Sequence, residues 1–210
     1  MSIQAVSARY EFRIFGQRFN FWHQRMARLS EPVPEKFWSR QSSEVYLLSP
    51  RDQRHNVKLR NGMLDIKVLL KQENSLDQWD VASKTALTKG VKEIQPLLQQ
   101  ALAYGDLSLN EDALDELSLV AAVNDHPELL AVRVSKVRQG YRIGNCLCEY
   151  AEVLINDAKV YSLAVEAEDP VDIRNTIKQI SLPEHDNISY PEAIRRIIGW
   201  RSDQLVYGEG

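Results

Sequence analysis

Apolar and charged residues alternate with a period of two in several short segments of this chain. In the first segment, Tyr10, Phe12 and Ile14 are separated by charged residues. The same alternation recurs at about 56–60, 64–70 and 159–168. Such alternation is typical of β-strands that bury one face. The pattern therefore predicts a sheet with one apolar face and one charged face.

Turn signals separate some of these segments. Asn61-Gly62 lies between two of them and indicates a type I′ hairpin turn, and Asn156-Asp157 is a plausible turn before the last segment. We therefore expect neighbouring segments to pair as antiparallel hairpins.

Helical spacing of apolar residues appears elsewhere. Phe19, Trp22 and Met26 indicate a helix after the first strand, and the region from about Val81 to Val120 is expected to be helical. Two short helices are expected at Asp169-Pro170 and Tyr190-Pro191, because proline suits the first helical position. Strands, helices, strands and then helices predict an α+β fold, in a single domain of residues 1–210.

The charged strand face has two interpretations. Antiparallel sheets commonly expose one face to water, where the charges would form cross-strand ion pairs. Alternatively, the sheet closes into an antiparallel barrel whose charged interior holds a polyanion. The alternation alone does not choose between them.

Composition limits the possible partners. The chain has 210 residues, of which 44% are hydrophobic and 26% charged, so it can bury a core. Its net charge of −3 argues against general nucleic-acid affinity, so a polyanion site must be a local concentration of Lys and Arg. The N-terminus shows no secretory signal pattern, and no apolar run is long enough for a membrane span. We expect a cytoplasmic protein that binds neither nucleic acid nor membrane.

The order of the charged segments resembles the CYTH family, also called the triphosphate tunnel metalloenzymes. This family includes inorganic and thiamine triphosphatases and class IV adenylyl cyclases. Its opening Glu-x-Glu-x-Lys strand is matched by residues 9–13, and its basic pairs are matched by Lys58-Leu59-Arg60 and Lys136-Val137-Arg138. A further basic strand is matched by Asp65-Ile66-Lys67. Its acidic strands resemble 149–153 and 165–168, and its C-terminal Ser-Tyr resembles Ser189-Tyr190.

The resemblance implies a closed antiparallel barrel of about eight strands, with helices packed outside, and a metal-dependent phosphohydrolase acting on inorganic triphosphate or a triphosphorylated small molecule. The implied cofactor is Mg²⁺ or Mn²⁺, and the oligomeric state is left open, with a homodimer as one alternative. The resemblance assigns catalysis to Glu11, Glu166 and Glu168, metal binding to Glu11, Glu149, Glu166 and Glu168, and substrate binding to Arg13, Lys58, Arg60, Lys67, Lys136 and Arg138.

Three departures leave a second function open. Arg9 stands where the family has its first Glu, and Arg13 stands where it has Lys. Glu149 and Glu152 should point to opposite faces of their strand, with Ala151 where a carboxylate in phase with Glu149 could have stood. A cation beside a metal site repels Mg²⁺, so the alternative is a degenerate, non-catalytic module that binds a polyphosphate or nucleotide.

Overall fold

An eight-stranded antiparallel barrel forms the centre of the fold. The computed structural model describes residues 8–34, 38–110, 114–183 and 185–200. The strands are β1 Arg9–Gly16, β2 Ser39–Leu48, β3 His55–Arg60, β4 Met63–Glu73, β5 Leu76–Ala86, β6 Leu130–Ile143, β7 Cys146–Ile155 and β8 Ala158–Ala167. They close into the barrel in the order β1-β5-β4-β3-β2-β6-β7-β8. The closed barrel confirms the α+β tunnel fold that was predicted.

Five α-helices accompany the strands in the described part of the chain. The fourth begins at Pro170, capped by Asp169, and the fifth begins at Tyr190, capped by Ser189. Both starts confirm the prediction from proline. None of the described helices is long and apolar enough to cross a membrane. The helices are α1 Asn20–Leu29, α2 Val91–Leu102, α3 Glu116–Asp125, α4 Pro170–Gln179 and α5 Tyr190–Ile197.

Residues with positive φ join the hairpins. Asn61 and Gly62 have φ of 52° and 69°, as a type I′ turn requires, and Asn156 and Asp157 have 44° and 68°. Both predicted turns are therefore confirmed. The turn between β4 and β5, at 74–75, has the same signs of φ and was not predicted.

The prediction that the chain is helical from about Val81 is wrong at the start of that region. Strand β5 continues to Ala86, and α2 begins only at Val91. The reason is that Trp79 and Val81 share a strand phase with Asp77, so β5 shows no clean division into an apolar and a charged face.

The described chain divides into two compact units. One contains the described parts of Met1–Ser42, Leu70–Asp80 and Ser135–Gly210, and the other contains those of Ser43–Leu69 and Val81–Val134. The prediction of a single domain stays a prediction.

Each unit has its own apolar core. In the first unit, alternate residues of β1, β7 and β8 pack against α1 and α4, with Ile14, Met26 and Ile173 fully buried. In the second unit, alternate residues of β2, β3 and β4 pack against α2 and α3, with Leu59, Ile94 and Leu119 fully buried. The helices therefore cover the apolar strand face, and the other face of each strand is the inner face of the barrel.

Candidate functional site

The charged residues predicted from the sequence occupy the inner face. Tyr10, Phe12 and Ile14 of β1 point into the apolar core, so Glu11 and Arg13 lie on the opposite side of that strand. The same phase argument applies strand by strand to the other predicted residues of the barrel. On this face the first unit carries Glu11, Arg13, Lys136, Arg138, Glu149 and Glu166, and the second unit carries Lys58, Arg60 and Lys67.

Glu149 is the centre of the charged cluster in the first unit. Its Oε1 accepts a hydrogen bond from Arg13 at 3.3 Å, and its Oε2 accepts one from Arg40 at 3.3 Å. The Nη1 of Arg138 lies 3.9 Å from the same Oε2. Three guanidinium groups of described residues therefore share one carboxylate. Arg40 was not among the residues that sequence reasoning selected, although it shares a strand phase with Ser42 and Glu44.

Arg13 is held on several sides. Its Nε donates to Glu11 Oε1 at 2.8 Å, and its Nη1 donates to Ser162 Oγ at 3.0 Å. Ala164 lies between Arg13 and Glu149 in the register of β1, β8 and β7. Because a methyl group leaves room there, the guanidinium can reach across β8 to Glu149. Arg13 is only 4% exposed.

Helix α5 contributes an aromatic ring to this cluster. The guanidinium of Arg13 lies 4.7 Å from the centre of the Tyr190 ring, and Lys136 Nζ lies 3.5 Å from it. Asn187 positions the helix, because its Oδ1 accepts from the Arg13 backbone at 2.7 Å and its Nδ2 donates to the Glu11 carbonyl. The C-terminal Ser-Tyr predicted from the resemblance thus lies beside two of the predicted cations.

A row of three carboxylates crosses β5, β1 and β8. Glu11 lies directly opposite Asp77 on one side and Glu166 on the other. Residues directly opposite in antiparallel strands have Cβ atoms about 4.5–5.5 Å apart. Burial raises the pKa of Asp77, and the charge of Glu11 raises it further, against a hydrogen bond from Gln72. Asp77 was not predicted because strand β5 was not predicted. The Asn74-Ser75 turn was the signal in the sequence that a new strand begins there.

The second unit has a separate charged cluster around Glu44. This carboxylate is buried and lies 3.2 Å from Lys58 Nζ and 3.4 Å from Arg60 Nη1. Arg60 also bonds Asp65 at 2.9 Å. Burial lowers the pKa of Lys58, and the charges of Arg60 and Lys67 add to that effect while Glu44 opposes it. Glu44 was not selected from the sequence. Its position next to Val45 in the strand was a signal, because Val45 belongs to the core and Glu44 must then face the other side.

The remaining residues of interest lie at the margin of the inner face. Glu168 is exposed and follows the end of β8, in phase with Glu166. Arg9 lies opposite Trp79 and two residues before Glu11, on the same side of β1. Glu152 lies on the other face of β7 from Glu149 and bonds Lys159 at 2.7 Å, as its phase predicted.

These residues do not fit a divalent-metal centre as they stand. A metal ligand must offer a carboxylate oxygen to the ion, whereas Glu11 Oε1 and Glu149 Oε1 accept from Arg13 and Glu149 Oε2 accepts from Arg40. Within the described ranges, no group of three His, Cys, Asp or Glu residues has the arrangement to hold a metal ion. The predicted roles of Glu11, Glu149, Glu166 and Glu168 in metal binding stay predictions.

Comparisons with known proteins give similarity in fold only. No protein-family description and no curated protein matches the chain. Among solved structures, a conserved hypothetical protein from Pyrococcus furiosus is 14% identical, with a TM-score of 0.47, and the match covers 87% of this chain and 98% of that one. A candidate adenylyl cyclase from Hippeastrum with a dominant triphosphatase activity is 11% identical, with a TM-score of 0.46 and coverage of 89% and 95%.

The RNA triphosphatase of S. pombe is a more distant neighbour, 9% identical with a TM-score of 0.34 and coverage of 95% and 83%. At these scores the neighbours carry no functional conclusion for this chain. The closed eight-stranded barrel that the resemblance predicted is established by the strand order of this chain itself.

Proposed function

We propose that this protein binds a triphosphate-containing small molecule on the inner face of its first unit. The observation that carries the proposal is the sharing of one carboxylate, Glu149, by Arg13, Arg40 and Arg138. Lys136, only 4% exposed, faces the same Tyr190 ring as Arg13. Three guanidinium groups converge on this one carboxylate, and a convergent cluster of cations suits a ligand with several negative charges.

The chemistry of the cations supports a phosphate ligand. Guanidinium groups offer paired N–H donors that match phosphate oxygens, and such charge-assisted hydrogen bonds are stronger than neutral ones. Arg138 is held only loosely to Glu149, at 3.9 Å, and its Nε is a buried donor without a hydrogen-bond partner. A buried unpaired donor costs about 1–3 kcal/mol. A phosphate oxygen that accepts from this Nε would remove that cost.

Thermal unfolding tests the proposal directly. Tripolyphosphate should raise the melting temperature, whereas orthophosphate at matched ionic strength should not. At about one hundred times the dissociation constant, the ligand should stabilise the fold by about 2.7 kcal/mol. An equal effect of both anions would show that only ionic strength is acting.

A pair of variants locates the binding. Arg138→Gln should weaken tripolyphosphate binding about tenfold or more, since it removes a charge-assisted hydrogen bond. Arg133→Gln is the matched control, because Arg133 is an exposed cation on the same strand in the opposite phase. Equal losses in both variants would contradict a site on the inner face.

Metal-dependent hydrolysis of the bound triphosphate is the second candidate. The observation that favours it is the row of Asp77, Glu11 and Glu166, which places the kind of ligand that Mg²⁺ and Mn²⁺ prefer on three adjacent strands, although the described carboxylates are not arranged to hold a metal ion as they stand. It ranks second because Arg13 already engages Glu11. We propose the same row, with Glu168, as the set on which activity would depend.

A phosphate-release assay decides between binding and turnover. Inorganic triphosphate, nucleoside triphosphates and thiamine triphosphate are each tested with and without Mg²⁺ or Mn²⁺. Metal-dependent release that Glu166→Gln and Glu168→Gln abolish would establish hydrolysis. Stabilisation by tripolyphosphate without release from any substrate would establish the binding module.

A further inference from the structure

Arg13 lies where two carboxylates of the inner face approach each other. Its Nε is 2.8 Å from Glu11 Oε1, and its Nη1 is 3.3 Å from Glu149 Oε1. One guanidinium therefore bridges a carboxylate of β1 and a carboxylate of β7. A cation that bridges carboxylates of two strands has the electrostatic role of a bound metal ion, but it is covalently part of the chain.

The surroundings of Arg13 fix this bridge in place. The backbone N–H donates to Asn187, and the backbone carbonyl accepts from Ile188 at 2.7 Å. The guanidinium is buried, donates to Ser162 and lies over the Tyr190 ring. Burial alone would lower the pKa of Arg13, but Glu11, Tyr190 and Glu149 raise it well above its ordinary value. The Arg13 guanidinium is therefore a fixed positive charge, as guanidinium groups in proteins are.

A divalent cation would have to compete with this fixed charge. To take Glu11 and Glu149 as ligands, it would have to displace a guanidinium that is only 4% exposed and is also held by Ser162 and the Tyr190 ring. Arg40 and Arg138 would still face Glu149, and Arg9 would lie two residues from Glu11 on the same strand face. These like charges repel a divalent cation, and they do so less where a side chain such as Arg40 is partly exposed and solvent screens its charge.

We infer that the guanidinium of Arg13 takes the place of a divalent cation in this site, so that anion binding needs no metal. The inference rests on the proposed binding of a triphosphate-containing ligand. It concerns which positive charge neutralises the carboxylates beside that ligand. The ligand replaces Glu149 as the partner of Arg40 and Arg138, while Arg13 keeps its hydrogen bond to Glu11.

The first experiment measures metal binding by the protein alone. Mn²⁺ is titrated into the unaltered protein, and free Mn²⁺ is followed by electron paramagnetic resonance. We expect no stoichiometric binding. The double variant Arg9→Glu/Arg13→Lys should bind Mn²⁺ at least about tenfold more tightly, because a carboxylate is added and a lysine cannot bridge two carboxylates with a planar fork. Arg40→Gln is the matched control, since it removes a guanidinium from Glu149 but leaves Arg13 in place, and it should gain no Mn²⁺ binding.

The second experiment measures tripolyphosphate binding by calorimetry, once in EDTA and once with Mg²⁺, corrected for the complex that Mg²⁺ forms with tripolyphosphate. Equal affinity in both conditions is the expected result. Stoichiometric Mn²⁺ binding by the unaltered protein that is lost in Glu11→Gln would overturn the inference. Binding of tripolyphosphate only in the presence of Mg²⁺ would also overturn it, but would leave the proposed function intact. Absence of anion binding in both conditions would overturn the proposed function together with the inference. If the double variant does not fold, the two titrations of the unaltered protein still decide.

Discussion

Replacing Glu149 by Gln should change stability and ligand affinity in opposite directions. The carboxylate accepts hydrogen bonds from Arg13 and Arg40, and it lies 3.9 Å from Arg138. Glutamine keeps the shape of the side chain but removes the charge. Without ligand, three guanidinium groups then lose their shared counter-ion. With a phosphate ligand, Arg40 and Arg138 no longer divide their interactions between the ligand and Glu149.

The magnitudes follow from burial and distance. Hydrogen bonds to charged groups contribute about 1.5–3 kcal/mol each, but the side chains of Glu149 and Arg40 are 16% and 37% exposed. Solvent screening reduces such contributions, so we expect the free energy of unfolding to fall by about 2 kcal/mol. Removing one negative charge roughly 8 Å from the bound anion contributes about 2 kcal/mol at an effective dielectric constant of about 20, which is around thirtyfold in Kd.

Two measurements on each of two variants test this prediction. Urea denaturation gives the free energy of unfolding, and calorimetry gives the Kd for tripolyphosphate. Glu152→Gln is the matched control, because this substitution removes the same charge from the same strand. Glu152 lies on the outer face, where it pairs with Lys159. The control should change neither quantity by much. If Glu149→Gln leaves the Kd unchanged or weakens it, the ligand does not bind beside Glu149 and the proposed site is wrong.

Substitutions at three further positions address single features of the inner face. Asp77→Asn should flatten the dependence of stability on pH: burial and the charge of Glu11 raise the pKa of Asp77 in the folded chain, so its contribution is favourable at acidic pH and is lost as the pH rises through that folded pKa. Urea denaturation between pH 4 and 7 measures the slope, and an unchanged slope would contradict the assignment. Ala164→Leu should fill the space that Arg13 crosses, lowering the free energy of unfolding by about 1–3 kcal/mol and weakening tripolyphosphate binding; unchanged binding would show that the reach across β8 is irrelevant. Tyr190→Leu removes the cation–π contacts of the ring and should lower the free energy of unfolding by about 1–2 kcal/mol. Tyr190→Phe keeps the ring and should preserve that stability, so equal losses in both variants would point to the hydroxyl group instead.

The inner face could be predicted from the sequence because strand phase is local. Once Tyr10, Phe12 and Ile14 are assigned to the core, Glu11 and Arg13 must lie on the other side. The turns at Asn61 and Asn156 could also be predicted, because few residues adopt positive φ at two consecutive positions. Strand β5 could not, since Trp79 is apolar and shares a phase with the charged Asp77.

The contacts within the site depend on register, which alternation does not specify. Glu11 meets Asp77 only because β5 pairs with β1, and Arg13 reaches Glu149 only because β8 places Ala164 between them. Tyr190 joins the cluster from a helix far along the chain. Strand phase placed Glu11, Arg13 and Glu149 on one face, but neither it nor the resemblance could show which charges neutralise each other.

The internal ion pairs also change what a carboxylate on this face means. Buried charges are costly unless they are paired, so a barrel that buries Arg13 and Lys136 must bury acids near them simply to fold. Glu11 and Glu149 therefore have a structural reason to be present whether or not a metal ever binds. Their presence does not by itself indicate hydrolysis. More is learned from two of the positions at which this chain departs from the family that its sequence resembles. Arg9 adds a charge that a metal site would repel, and Arg13 forms a bridge that a lysine could not form in the same geometry.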